Sequence, residues 1–214
     1  MSHTNYHGQG VPSSFEPIIE AYSNSIFNIE LTKPDVSIMG FLVRLDGRSF
    51  VATSRLPIAY SNGPFRIFSG THAEIPFIKI HFCSNNDIAL IELNECEVIK
   101  DFLGFPVSTQ FPVDSHILTI HYDNRSTPIS PLVECRYGQL LPFTVNRHMD
   151  TYQLLWLTSP DWMEGTPILD EFGFVVGILA GTYTEDSGDL MLAVPGVYLM
   201  EFMQRKVAKG RNNI

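Results

Sequence analysis

The 214-residue chain holds only three cysteines, Cys83, Cys96 and Cys135, and no apolar run long enough to cross a membrane as a helix. An odd number of thiols is no basis for a disulfide frame, so they read as reduced cysteines in a cytoplasmic or nuclear protein. The N-terminus, Met1-Ser2-His3-Thr4-Asn5, lacks the apolar centre of a signal peptide and gives the same intracellular expectation. Asn124-Arg125-Ser126 matches a glycosylation acceptor and, in a chain read as unsecreted, is taken as chance. Positive charge is scarce: 14 Lys and Arg stand against 23 Asp and Glu, a net charge of −9. Binding to nucleic-acid phosphates rests on clustered cations, so nucleic acid is not expected as a partner, nor is a membrane. One basic cluster exists, Arg205, Lys206, Lys209 and Arg211; it suits the end of a terminal helix and a solvated tail, with a docking tail as the other reading. Apolar content of 44% and charged content of 17% are those of a globular protein.

The remaining pattern is short strands punctuated by turn residues. Residues 1–12 carry Gly8, Gly10 and Pro12 among polar neighbours and are expected to be flexible. Ser13 or Ser14 can cap a short helix whose first turn holds Glu16 and Pro17 and whose sticky face is Ile18, Ile19 and Tyr22. Strands are expected near 25–31, 37–44, 48–54, 65–69, 74–81 and 88–93. After a connection over 94–110, more follow near 115–121, 131–138, 140–145, 152–157, 167–170, 173–182 and 189–194. Asp46-Gly47 reads as a hairpin turn, and 198–207 is apolar at helical spacing. Periodicity alone supports an all-β sandwich or barrel.

Three segments carry more. Gly40-Phe41-Leu42-Val43, a hairpin at Asp46-Gly47, then Phe50-Val51-Ala52-Thr53-Ser54-Arg55-Leu56 is the first. Asn86-Asp87-Ile88-Ala89-Leu90 is the second, and Asp161-Trp162-Met163-Glu164-Gly165-Thr166-Pro167 followed by Glu171 to Ile178 is the third. In this order the chain resembles the trypsin-like serine proteases, the HtrA/Deg branch in particular, over about residues 14–205. The resemblance implies an all-β protein of two six-stranded antiparallel β-barrels, the chymotrypsin fold, with a short N-terminal and a C-terminal helix. It implies a flexible 1–12, a first barrel over 13–105, a second barrel with the terminal helix over 106–207, and a tail over 208–214, with no room for a PDZ domain.

The same resemblance places the triad at Leu56, Asp87 and Glu164, separated by 31 and 77 residues. Only the aspartate is of the family's type. Leucine accepts no proton, and a carboxylate at the nucleophile position opposes a developing oxyanion. The former oxyanion loop, Trp162-Met163-Glu164, has tryptophan where the family has a glycine. On these grounds the chain is expected not to be an enzyme but a degenerate protease homologue without cofactor or metal. Asp87 then reads as a structural hydrogen-bond acceptor. Trp162 reads as a cleft plug or an interface anchor, and Glu164 as a solvated carboxylate or a ligand contact. His81 and Cys83, two apart on one strand face, could seed a metal site or a Cys/His pair, or be a satisfied histidine and a buried thiol. His72, His116, His121 and His148 are scattered, and an Asp87–Glu164 acid/base pair of the glycosidase type has no sugar site to support it.

The expected function is binding of a protein or an extended peptide, which the family holds by pairing it with a strand here falling within Val176, Gly177, Ile178, Leu179, Ala180, Gly181 and Thr182. The alternatives are an assembly subunit with a filled cleft and an altered serine-type hydrolase. By analogy, the 14–22 helix admits a homo-oligomer or co-assembly with a related protein.

Overall fold

The computed structural model of the chain describes residues 6–7, 12–33, 35–70, 73–110, 115–122, 133–147, 150–157, 163–185 and 188–211. Tyr6–His7 form a two-residue strand, β1, and Glu16–Tyr22 the first helix, α1. Then come β2 (Ile26–Thr32), β3 (Asp35–Leu45), β4 (Arg48–Thr53), helix α2 (Arg55–Tyr60), β5 (Phe65–Ser69), β6 (Phe77–Phe82) and β7 (Ala89–Leu93). These strands make one antiparallel sheet in the order β5-β2-β3-β4-β7-β6. Asp46 and Gly47, both at positive φ (49° and 73°), form the β3–β4 hairpin turn.

Residues of this sheet sort by parity into two cores. Phe27, Ile29 and Leu31, with Val51, Ala89 and Ile91, fill the inside of the curled sheet. Their neighbours Ile26, Phe50, Ala52 and Leu90 face a second cluster that runs into the other half of the molecule. Successive strand side chains point to opposite faces, so a sheet buried on both sides needs unbroken apolar runs. β7 is close to such a strand: it reads Ala-Leu-Ile-Glu-Leu with every residue buried and Glu92 its one charged member. The sheet curls until its edge strands meet: the Ile75 amide donates to the Ile67 carbonyl at 2.8 Å, and Phe65 stacks on Phe77 at 4.9 Å.

The second half holds β8 (His116–Tyr122), β9 (Val133–Arg147), β10 (Asp150–Leu157), β11 (Pro167–Leu169), β12 (Val175–Glu185), β13 (Gly188–Pro195) and the terminal helix α3 (Gly196–Arg211). The sheet order is β1-β9-β10-β13-β12-β11-β8, and β9 also pairs with β8, so β8 to β13 close into a ring. Ile117, Leu140, Leu155, Ile168, Val176, Leu179, Met191 and Ala193 fill it. The architecture is mostly β, two curled antiparallel sheets forming near-barrels, with a short helix at the start and one at the end.

The seam between the halves is a continuous apolar core. Phe15, just before α1, and Ile19 of α1 are buried in it, Tyr22 stacks on Phe105 at 4.4 Å, and Phe41 meets Phe105 edge-on at 5.7 Å. The connection is stitched to both sheets. Arg44 Nη2 donates to the Ile99 carbonyl at 2.7 Å, the Phe105 amide to the Leu42 carbonyl, and the Val175 amide to the Pro106 carbonyl, both at 2.8 Å. Each fully buried Leu, Ile or Phe in these cores is worth about 1.5–3 kcal/mol over its exposed state.

Several expectations are corrected. The 131–138 and 140–145 strands are one strand, because Gly138 belongs to both ladders, facing Ile117 on one side and Leu157 on the other. Residues 55–60, between two expected strands, are a helix. No serine side chain caps α1: Ser13–Phe15 form a 3-10 turn after Pro12, and the chain passes straight into the helix. Tyr6 and His7, in the segment expected to be flexible, pair in parallel with Val133 and Glu134. The terminal helix is longer than the expected 198–207.

Candidate functional site

Thr53 ends β4 and Ser54 starts the turn into α2, and this places three polar groups at the seam. The Thr53 hydroxyl donates to the Met39 carbonyl at 2.6 Å. Ser54 Oγ donates to Asp87 Oδ2 at 2.8 Å, and the Leu56 amide donates to Asp87 Oδ1 at 2.7 Å. Asp87 is fully buried. Burial raises its carboxyl above the ordinary value, against hydrogen bonds from Ser54, Leu56 and the Arg55 backbone and against the Arg55 charge, all of which lower it. Ser54, also fully buried, was not singled out in the sequence: its role depends on the fold bringing it to Asp87 across 33 positions.

Glu164 approaches from the other sheet. Its carbonyl accepts the Met39 amide at 2.7 Å, so Met39 joins Thr53 on one side and the 163–166 turn on the other. The Gly165 amide donates to the Leu179 carbonyl at 2.7 Å, and the Leu179 amide donates to the Thr166 carbonyl at 2.9 Å. Thr166 Oγ1 closes the turn on the Met163 carbonyl at 2.7 Å. Gly165 has φ +85°, and a Cβ there would lie 1.8 Å from the Met39 carbonyl oxygen and 2.3 Å from Thr53 Oγ1. No other residue type fits without moving one half of the seam.

The structure therefore brings Leu56 and Asp87 into direct contact and joins the Glu164 backbone to the same seam through Met39, Gly165 and Thr53. Leu56, Met163 and Glu164 are half-buried. Trp162 lies outside the described residues, as do His72 and His148. His81 does not pair with Cys83. Its Nε2 lies 3.1 Å from Glu92 Oε2, a cross-strand contact the sequence did not reveal. Lys79 at 3.4 Å and Arg48 at 3.3 Å complete the cluster around Glu92. Burial pushes the Glu92 carboxyl up, but His81, Lys79 and Arg48 outweigh it and hold it below its ordinary value. Among the described residues no group of three or more His, Cys, Asp or Glu is placed to hold a metal ion. No helix among them is long and apolar enough to cross a membrane.

The strand beside Glu164 divides in two. Gly177 and Ile178 pair with both β11 and β13, Leu179 pairs with β13 and with the 165–166 turn, and Val176 is the extra residue where the β11 register shifts, so this stretch is enclosed by its neighbours. Beyond Leu179, β12 continues to Glu185 against β13, and among the described residues no strand lies along its other side. The register shifts between Leu179 and Gly181, leaving Ala180 as the extra residue of a bulge, and Gly181 takes φ +154°. A Cβ on Gly181 would stand 4.0 Å from Glu164 Oε1. Ala180 and Gly181 are buried beside Glu164, and Thr182 is half-buried.

No protein-family model matches the chain, and no curated protein matches it in sequence. Solved structures do. A serine-to-alanine mutant of M. tuberculosis H37Rv Rv3671c, in an inactive form, is similar with a TM-score of 0.66 and 13% identity over 91% of this chain and 93% of that one. The Rv3671c protease, also in an inactive form, gives 0.65 and 12% over 94% and 98%. The fold is that of the chymotrypsin-like proteases. The expectation of a non-enzyme is corrected by this finding: the neighbours are a named protease, and one of the inactive forms is a mutant.

Proposed function

We propose that the chain binds an extended polypeptide by adding it as a strand to β12 along residues 180–185, beside Glu164. The observation carrying this reading is that β12 outruns β11: β13 continues on one side while no described strand follows on the other. A strand edge offers main-chain donors and acceptors at fixed spacing, and a peptide laid there needs no particular sequence to satisfy them. The bulge at Ala180 turns the strand where the lane meets the 163–166 turn, as bulges do beside sites that must be re-aimed.

Backbone pairing predicts its own test. A library of ten-residue unstructured peptides, followed by fluorescence anisotropy, yields saturable binders. Methylating alternate backbone nitrogens of a binder abolishes binding in one phase and spares it in the other. Amide exchange of residues 180–185 slows when the peptide is present. Binders indifferent to both N-methylation phases would sink the reading.

A second reading, that the docked polypeptide is cut, is favoured by the protease names of the structural neighbours. Position 56 supplies no imidazole and position 164 no hydroxyl, so cutting would use other groups at the seam; the Ser54 hydroxyl is the one already hydrogen-bonded to Asp87. Casein hydrolysis and fluorophosphonate labelling, each against a Ser54→Ala variant, decide between docking and cutting.

A further inference from the structure

The loop between α2 and β5 reads Ser61-Asn62-Gly63-Pro64, the one place in the chain where an asparagine precedes a glycine. It is fastened to the end of β2 on both sides of that junction. The Asn62 amide donates to the Lys33 carbonyl at 3.1 Å. The Pro64 carbonyl accepts the Thr32 amide at 3.3 Å and the Thr32 hydroxyl at 2.6 Å. Gly63 sits so close to β2 that a Cβ there would fall 2.4 Å from Thr32 Oγ1. Between the fastenings the Asn62 side chain is exposed. Among the described residues, neither its carboxamide nor the Gly63 N–H has a hydrogen-bond partner.

We propose that Asn62 is a self-modifying site, which deamidates through Gly63 and thereby loosens the loop from β2. The Gly63 nitrogen gives up its proton to base and attacks Asn62 Cγ. The new C–N bond closes a succinimide ring, the Cγ–Nδ2 bond breaks, and the nitrogen leaves as ammonia with a proton from solvent. Water then opens the ring. Opening at Cγ gives aspartate; opening at the main-chain carbonyl gives isoaspartate, in which the backbone runs through the side-chain methylene. Either product exchanges an amide for a carboxylate, taking the net charge from −9 to one unit more negative, −10. Asn24, Asn85 and Asn94 are exposed too, but Ser25, Asn86 and Glu95 follow them, and a Cβ on the attacking residue crowds the approach. Gly63 has none. In the isoaspartyl form an extra methylene stands between the two fastenings. Their anchors, Lys33 and Thr32, are adjacent residues, so the lengthened link cannot keep both, and the Thr32–Pro64 bonds open.

Incubation of the full chain at 37 °C and pH 7.4, followed by trypsin and mass spectrometry, tests this. Cleavage after Arg55 and Arg66 releases residues 56–66, in which Asn62 carries the only side-chain amide. That fragment is expected to convert to aspartyl and isoaspartyl forms about tenfold faster than the fragments holding Asn24, Asn85 or Asn94. Conversion accelerates as pH rises, since the Gly63 nitrogen must lose its proton. Asn62→Gln stops it, because glutamine has to close a larger ring; should that variant not fold, the comparison among the four asparagines of the wild type decides. Amide exchange at Thr32 speeds up in the aged wild type and stays slow in freshly made Asn62→Asp, which has the charge without the longer backbone. A fragment 56–66 that stays intact in the folded chain, converts no faster than the other three, or yields aspartate without isoaspartate overturns the proposal. Conversion that leaves Thr32 exchange unaltered overturns the loosening of the loop.

Discussion

Gly165 and the Met39 carbonyl occupy space that a single methyl group would contest: a Cβ at residue 165 would fall 1.8 Å from that oxygen. Met39 lies on β3 and Gly165 in the turn that leads into β11, so the contact fixes how the two sheets meet. Gly165→Ala is therefore expected to cost roughly 2–4 kcal/mol, from a positive-φ penalty plus displacement of a backbone oxygen. Urea unfolding followed by tryptophan fluorescence measures it. A loss under about 1 kcal/mol would mean that the seam yields easily.

Thr53→Val tests the same seam more gently. The hydroxyl bonded to Met39 is buried, and its removal leaves a carbonyl that keeps less of its hydrogen bonding. The expected loss is about 1–2 kcal/mol.

Two carboxyls give stability opposite dependences on pH. The Glu92 carboxyl is held below its ordinary value of 4.5, so its contribution is present above that value and is lost as pH falls through the lowered one. Replacing it with Gln should flatten the acid limb of the stability profile below pH 4.5. Asp87 is raised above 3.8: the folded state binds its proton more tightly than the unfolded chain, so stability declines as pH rises from 3.8 through the raised value. Asp87→Asn should flatten that second stretch, and urea midpoints taken at half-unit pH intervals separate the two.

Ser54→Ala withdraws one of the hydrogen bonds that hold Asp87, which also accepts from the Leu56 amide and the Arg55 backbone. The remaining carboxylate is buried and less satisfied, so the cost is expected at about 1–3 kcal/mol above the Asp87 pKa and less below it. Equal losses at both pH values would show that the hydroxyl acts through packing.

The sequence made the first sheet legible because its strands are apolar on both faces and closed by a positive-φ hairpin at Asp46-Gly47. It hid α2, whose six residues are too few for a helical period to emerge. It split β9 in two because Gly138 reads as a break, where in fact the glycine lets one strand exchange partners. Within the site, the resemblance that placed Leu56, Asp87 and Glu164 together led to the seam. Ser54 escaped notice, as did Glu92 with His81, since both pairings are made across strands or turns and leave no local periodicity. The division of β12 is likewise hidden in the sequence, because only the short length of β11 shows where that pairing stops.

The double duty of β9 has a consequence for how this molecule comes apart. One fifteen-residue strand zips to β8 along its first half and to β10 along its second, so a single cut near its middle would open two seams at once. The ring it closes should therefore melt as a unit, without a half-open form in which β12 stays ordered by itself.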